Sequence, residues 1–317
     1  MKVEPIQVMH SGRKIKVPAI NVGDTSIISS GRLVKIARIK GEDWEESDRG
    51  RDPALIIDCI KKSSLKADIF TFAQKLPETT PKYQYPFQWD NLAVIQLNSY
   101  DDWWKHKINP ASRRNVRLAT KRGVTTREAG FDDEFLKGVM DIYNETPIRQ
   151  ERRFWHYGKD LATVKRENSS YLDRSDFIGA YYGDELIGFV KIVHMGKVAS
   201  IMQILSKNAH FHKRPSNALM AKVVERCAQK GVFYIIYCNY VYWGNTQSSL
   251  IEFKRRNGFE MMLVPRYYVP LTEWGRLALK LGLQHGIRGI IPLKLQHVLL
   301  NLRSRWYEKN APVCTQT

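Results

Sequence analysis

The sequence predicts an α/β protein in which a mixed sheet is flanked by helices, and three observations carry the prediction. Across residues 124–271, short apolar runs of strand length are interspersed with amphipathic segments of helix length, in the order strand, helix, helix, three strands, helix, strand, helix, strand. Within this series Gly183-Asp184 separates two apolar runs as a two-residue hairpin turn does. The chain has 317 residues, 43% hydrophobic and 26% charged, which is enough material for two compact units.

Taken in order, GRLVKIARIK (31–40) alternates as a strand, and PALIIDCIKKSSLKA (53–67) reads as a short amphipathic helix. DIFTFAQKL and NLAVIQL are strands separated by a loop that Pro77, Pro81 and Pro86 punctuate. Ser99 to Gly123 opens on a capping serine followed by two acids and closes on glycine, which predicts a helix divided at Pro110. The regular series then begins with strand VTTREAG and helices DDEFLKGVMDIYNE and KDLATVKRENSSYL. It continues through the hairpin DFIGAYYGDELIGFVKIVHMG and strand KVASIMQIL to helix SNALMAKVVERCAQKG, and closes with strand VFYIIYCN, helix SSLIEFKRRNG and strand FEMMLVPRYYVPL.

Charge narrows the partners. Lys plus Arg number 50 against 32 Asp plus Glu, a formal charge of +18, so phosphates, nucleic acid and acidic lipids are attracted. Cys59, Cys227, Cys238 and Cys314 form no closely spaced pair, which argues against a disulfide framework or zinc site and for a reducing compartment. The N-terminus lacks an apolar leader core and no apolar run is of membrane-spanning length, so a cytoplasmic protein is expected.

The ordered elements resemble those of GNAT acyltransferases. Tyr182-Gly183-Asp184-Glu185-Leu186-Ile187-Gly188-Phe189 is similar to the hairpin of their second and third strands, and Lys254-Arg255-Arg256-Asn257-Gly258-Phe259 to the end of their penultimate helix. Two phrases point to the Fem-like branch: Arg113-Arg114-Asn115-Val116-Arg117-Leu118-Ala119 followed by Lys121-Arg122-Gly123-Val124, and the pair Phe253-Lys254. The resemblance implies a reduced first GNAT-like unit over 1–110, an acyltransferase domain over 111–271 and a basic amphipathic helical tail over 272–317. The implied activity is direct transfer of an acyl or aminoacyl group to an amine on a cell-envelope, polysaccharide or related precursor. The alternative is a degenerate module that binds nucleotide-sugar, RNA or membrane.

Two departures from the acetyl-CoA pattern bear on the donor. The loop expected to cradle a pyrophosphate reads Phe211-His212-Lys213-Arg214-Pro215-Ser216-Asn217, without the usual glycines, so Lys207, Lys213, Arg214, Ser216 and Asn217 are the residues left to bind an anion such as acyl-CoA. KVASIMQIL carries no acid, and Lys254 occupies the place of the usual tyrosine, where its charge would stabilise an oxyanion or a donor phosphate. Aminoacyl-tRNA is the other donor, favoured by seven basic residues and no acid between Lys105 and Arg122; Arg113 and Arg117 lie on one helical face of that stretch.

On the acceptor side, Glu145 and His156 are candidate bases, and Asn144, Arg149, Gln150, Tyr157 and Lys159 are candidate binding residues in a loop rich in hydrogen-bonding side chains. Tyr240 and Tyr242 could stack a base or sugar, with Tyr234, Tyr237 and Trp243 nearby in sequence. His194, His210 and His212 lack ligand spacing, so no metal is expected. The tail holds seven bases against two acids between Thr272 and Lys309. It fits either a helix lying on an anionic leaflet, giving a peripheral inner-membrane location and a lipid-linked acceptor, or a helix packed on protein.

Overall fold

The computed structural model describes residues 1–10, 13–45, 52–149, 152–242 and 248–286. In chain order, strands β1 (Glu4–His10), β2 (Arg13–Val22), β3 (Thr25–Ser30) and β4 (Ile36–Ile39) precede helix α1 (Pro53–Lys62) and strand β5 (Ile69–Ala73). Strand β6 (Phe87–Gln96) leads to one helical turn, α2 (Tyr100–Asp102), then a wider turn over Trp103–Lys107 and helix α3 (Pro110–Lys121). There follow β7 (Val124–Ala129), α4 (Asp133–Asn144), the two-residue strands β8 (Ile148–Arg149) and β9 (Arg152–Arg153), α5 (Leu161–Asn168), β10 (Ser175–Tyr182), β11 (Glu185–Met195) and β12 (Val198–Ser206). The described chain ends with α6 (Pro215–Gln229), β13 (Tyr234–Asn239), α7 (Ser249–Arg256), β14 (Glu260–Pro270) and α8 (Glu273–Lys280).

Local chemistry explains the boundaries. Asp52, Ser99, Asn109, Asp132, Asp160, Ser248 and Thr272 each accept a hydrogen bond from an amide two or three residues on, satisfying a donor that the helix leaves open. Pro53, Pro110 and Pro215 occupy first helical positions, where their missing N–H removes no bond. Tyr182 pairs with Glu185, so Gly183-Asp184 is the predicted two-residue turn, with Gly183 at φ 59°. The strand expected over 31–40 begins only at Ile36, because Gly31 turns the chain at φ 120°, where a Cβ would lie 2.0 Å from the Val34 carbonyl oxygen.

The chain folds into two compact units, Met1–Asp90 with the chain from Leu263 onward, and Asn91–Met262. This grouping differs from the consecutive segments 1–110, 111–271 and 272–317, because β14 returns to pair with β5 and α8 packs beside it. In the first unit the order is β1-β2-β3-β4-β5-β14, antiparallel except for β4 and β5. Strands β1 to β3, which the sequence reading did not predict, form its N-terminal meander. Ile20, Ile27, Ile56, Ile60, Phe70, Phe72 and Tyr267 fill the core under α1.

In the second unit the order is β6-β13-β12-β11-β10-β7, antiparallel except for β12 and β13. One core cluster joins Ile187, Val190, Ile192, Ile201 and Ile235 to Leu219, Val223 and Val224 of α6. A second joins Phe189 and Phe177 to Leu136, Val139 and Tyr143 of α4. Helices thus contribute to two separate clusters of the sheet, which is the mixed, helix-flanked architecture expected.

Candidate active site

The second unit opens where the parallel pair of β12 and β13 ends. The ladder between β12 and β13 links Val198–Ser200 with Tyr234–Ile236 and stops, although β12 runs on to Ser206 and β13 to Asn239. Each strand carries a bulge at this point. On β12, Lys191 faces Gln203 and Ile192 faces Ile201, leaving Met202 as the extra residue. On β13, Ile236 faces Val94 and Asn239 faces Leu92, so Tyr237 and Cys238 together oppose Ala93, with Cys238 at φ 51°. A bulge bends its strand and ends regular pairing. The two bends separate the strands into a V whose inner edges carry backbone donors and acceptors with no ladder between them.

Lys254 lies beside the β13 arm of the V. It is fully buried on α7, and its Nζ donates 2.5 Å to the Asn239 carbonyl oxygen. The faces of Tyr237 and Tyr242 lie 4.9 and 4.8 Å from the ammonium. Burial lowers its pKa from 10.5 to about 8, with Cys238 opposing the shift. Lys254 is still largely a cation at neutral pH, and among the described residues its Nζ hydrogen-bonds only to a carbonyl. Burial likewise raises the phenol pKa values of Tyr237 and Tyr242. Tyr240 anchors β13 through its amide to the Asn91 carbonyl, 2.8 Å.

The loop after α4 supplies a wall beside β12. Glu145 ends α4 and accepts from Arg149 at 3.0 Å and from the amides of Asn208 and Ala209 at 2.7 and 2.9 Å. Arg149 reaches the Ser206 and Ile142 carbonyls at 2.9 and 3.1 Å, and burial lowers its pKa. Together they tie α4 to the end of β12. Asn144 accepts from the Gly158 amide at 2.8 Å and donates to the Lys159 carbonyl at 3.1 Å, closing the loop that carries His156. Gln150 lies outside the described residues. Tyr157 is exposed, and Lys159 pairs with Glu167 at 2.5 Å under the Trp155 ring.

His156 is buried against Tyr143 and Trp155, with ring centroids 4.1 and 3.6 Å apart. Burial, then the charges of Lys159 and Arg149, lower its pKa to about 3, so the ring is neutral. The Lys159 ammonium lies 3.3 Å from Nδ1. Gln203 bridges the two rings, its Nε2 3.0 Å from Nε2 of His156 and its Oε1 accepting from the Tyr143 hydroxyl at 2.7 Å. Gln203 sits one residue beyond the Met202 bulge, so this chain of bonds holds the β12 arm.

The residues considered for a donor anion are dispersed in their bonding. Lys207 pairs with Glu185 at 2.7 Å and Lys213 stacks on Tyr182 at 3.6 Å. Ser216 bonds Ser206 at 2.9 Å, and the Asn217 amide bonds the Arg214 carbonyl at 3.1 Å. Arg214 precedes α6 at φ 63°, with no side chain capping that helix. Arg122 donates to the His212 carbonyl, which brings the basic end of α3 to this loop; farther back along α3, Arg113 donates to the Lys105 carbonyl at 3.4 Å and Arg117 lies 5.8 Å over Trp104. Among the described residues no cluster of His, Cys, Asp or Glu could hold a metal ion, and no helix is long and apolar enough to cross a membrane. Trp243 and most of the expected tail lie outside the described residues.

Lys191 was not singled out from the sequence. It is fully buried on β11 and donates to the Asn168 and Ser170 carbonyls at 2.7 and 2.5 Å, satisfying groups at the C-terminal end of α5; burial lowers its pKa to about 8. A lysine inside the otherwise apolar run Leu186–Val193 was the available signal.

The order of strands, the V and the buried lysine can now be set beside known structures. FemX superposes on the chain with a TM-score of 0.52 at 12% identity, covering 88% of this chain and 90% of that one. The chain shares the fold of FemX. The C-terminal domain (DUF2156) of a protein from Agrobacterium fabrum named as a lysylphosphatidylglycerol synthetase matches with a TM-score of 0.53 at 12% identity, over 83% of this chain and 87% of that one. L-PGS from Bacillus licheniformis matches at 0.51 and 13%, over 85% and 86%. No family model and no curated protein matches the sequence.

Proposed function

We propose that the chain is a Fem-like acyltransferase that moves an acyl or aminoacyl group to an amine of a cell-envelope, polysaccharide or related precursor by direct transfer in the V between β12 and β13. The observation that carries this reading is the pair of bulges, Met202 on one strand and Tyr237-Cys238 on the other, beside a buried cation that no carboxylate neutralises among the described residues. The exposed inner edges accept an extended, amide-bearing donor as a strand edge accepts a peptide. The amine nitrogen attacks the thioester or ester carbonyl, a C–N bond forms, and the C–S or C–O bond then breaks. The amine proton leaves with the departing sulfur or oxygen through water.

In this reading Lys254 supplies positive field at the end of β13, where negative charge develops in the transition state. Glu145, bonded to Arg149 and two amides, and His156, with its pKa near 3, hold the wall and the β12 arm; neither is assigned the task of removing a proton. Acyl-CoA and aminoacyl-tRNA are the two donors, with Arg214 and the open first turn of α6 as the anion-binding element for either. Thermal-shift titration with acetyl-CoA, longer acyl-CoAs and charged tRNA tests the reading, since a true donor raises the melting temperature by mass action. Stabilisation by one donor class, followed by its transfer to an amine acceptor, is the expected result. Stabilisation by none overturns the enzyme reading and leaves the degenerate binding module.

A further inference from the structure

Helix α8, in the first unit, is docked by its small residues and turns its large apolar ones outward. A Cβ on Gly275 would lie 1.9 Å from the Asp68 carbonyl oxygen, so the helix backbone rests directly on that strand entry. Ala278 and, beyond the helix, Leu283 are buried with Val34, Ile69 and Tyr268, and His285 bonds Gln88 at 2.8 Å. Flanking that buried stripe, Trp274, Leu277 and the C-cap residue Leu281 are spaced so that they share one side of the helix, at 39, 47 and 55% exposure. The Trp274 indole donates 3.0 Å to the Leu33 carbonyl, which fixes the ring beside Leu33, itself 61% exposed. Single exposed apolar residues are ordinary; four on one anchored patch are not.

We propose that Leu33, Trp274, Leu277 and Leu281 form a docking patch for an anionic lipid bilayer. The rim supplies the charge: exposed Arg32 and Lys35 flank Leu33, and exposed Lys280 lies between Leu277 and Leu281, whereas Glu273 is occupied by Arg276. Indole and leucine side chains enter the headgroup boundary while lysine and arginine meet lipid phosphates. The same charge disfavours the other occupants. The sequence after residue 286 is itself basic, with Arg288, Lys294, Arg303, Arg305 and Lys309 against Glu308, and a second copy brings a second +18 chain to a basic rim. The bilayer is the partner of opposite sign. The proposal goes beyond the transferase reading and does not depend on it.

Co-sedimentation of the full chain with vesicles of phosphatidylcholine alone, and of phosphatidylcholine with one quarter phosphatidylglycerol, tests the patch. Binding is expected to the anionic vesicles only, and to weaken as salt is raised. The variant Leu277→Ser/Leu281→Ser, shown folded by an unchanged circular-dichroism melt, is expected to bind about tenfold more weakly, from the apolar area withdrawn. Hydrogen exchange of the unaltered chain is expected to slow over 273–281 when anionic vesicles are added, a readout that holds even if the variant melts early. Equal binding by variant and parent, equal binding to neutral vesicles, or no protection over 273–281 overturns the proposal. So does a fall in oligomer size in the Ser variant, which would assign the patch to a second copy.

Discussion

The two units each hold cations against their sheet, and they treat them in opposite ways. In the first, Arg266 is held by Asp90 at 2.5 Å and by Glu42 at 3.0 Å, and Glu42 also accepts from the Ala73 amide at 2.6 Å. Burial alone would lower the arginine pKa, but Glu42 and Asp90 raise it; burial raises that of Glu42 against the pull of Arg266 and Lys75. In the second, Lys254 meets a carbonyl and two aromatic faces, and Lys191 meets carbonyls and one hydroxyl. A neutralised ion network is a structural fastening. The Lys254 ammonium, beside the V of the second unit, is desolvated and meets no carboxylate among the described residues.

The contrast is broken most forcefully at Arg266. Replacing it with Met strands Glu42 in the interior and is expected to lower unfolding free energy by about 3–5 kcal/mol in urea titrations. Lys254→Met is expected to behave in the opposite sense. Transfer should fall by roughly 10²–10³-fold, as when an oxyanion donor is removed, while stability at pH 7 holds or rises. The sign follows from linkage: between pH 8 and 10.5 the unfolded lysine binds a proton that the folded one has released, so stability rises with pH across that window. That rise, roughly 3 kcal/mol if the shift is borne by this residue alone, should shrink in Lys254→Met when unfolding is followed from pH 7 to 10.5. A variant with unchanged turnover removes Lys254 from the site.

Smaller effects sharpen the second unit. Glu145→Gln leaves the Arg149 charge without its partner and weakens two amide bonds. A loss of about 1–3 kcal/mol is expected, with faster hydrogen exchange at Asn208 and Ala209. Smallest is the effect of His156 on pH dependence. Its folded pKa of about 3 lies below the unfolded 6.5, so the stability it contributes is lost as pH falls from 6.5 toward 3. His156→Gln should flatten that slope by up to about 1.4 kcal/mol per pH unit. An inflection near pH 6.5 in the transfer rate that vanishes with this variant would return His156 to the role of base.

How much of this was legible depends on the range of the cause. Helix limits set by one capping side chain, such as Ser99 or Asp132, and the Gly183-Asp184 hairpin were readable because sequence neighbours decide them. The order of elements from Val124 to Pro270 followed, and with it Lys254 near the strand end. The meander of β1 to β3 was not, since Pro18 interrupts a run whose partners are fixed by pairing across the sheet. The bulges at Met202 and Tyr237-Cys238 depend on register against β11 and β6, which no local pattern encodes. Glu145 and Arg149 were read as acceptor-site residues, Glu145 as a candidate base; their partners Asn208, Ala209 and Ser206 lie some sixty residues on, and tertiary placement alone brings them there.

The V has a consequence for how such a site is inherited. It is cut by counting, one surplus residue on β12 and one on β13, so its outline needs no particular side chain to persist. Side chains lining it can be exchanged without closing it, while loss of Met202 would restore the register of β12 on β11 and leave the β13 bulge as the remaining break. In such a design, the length of the chain guards the opening and its letters choose the occupant.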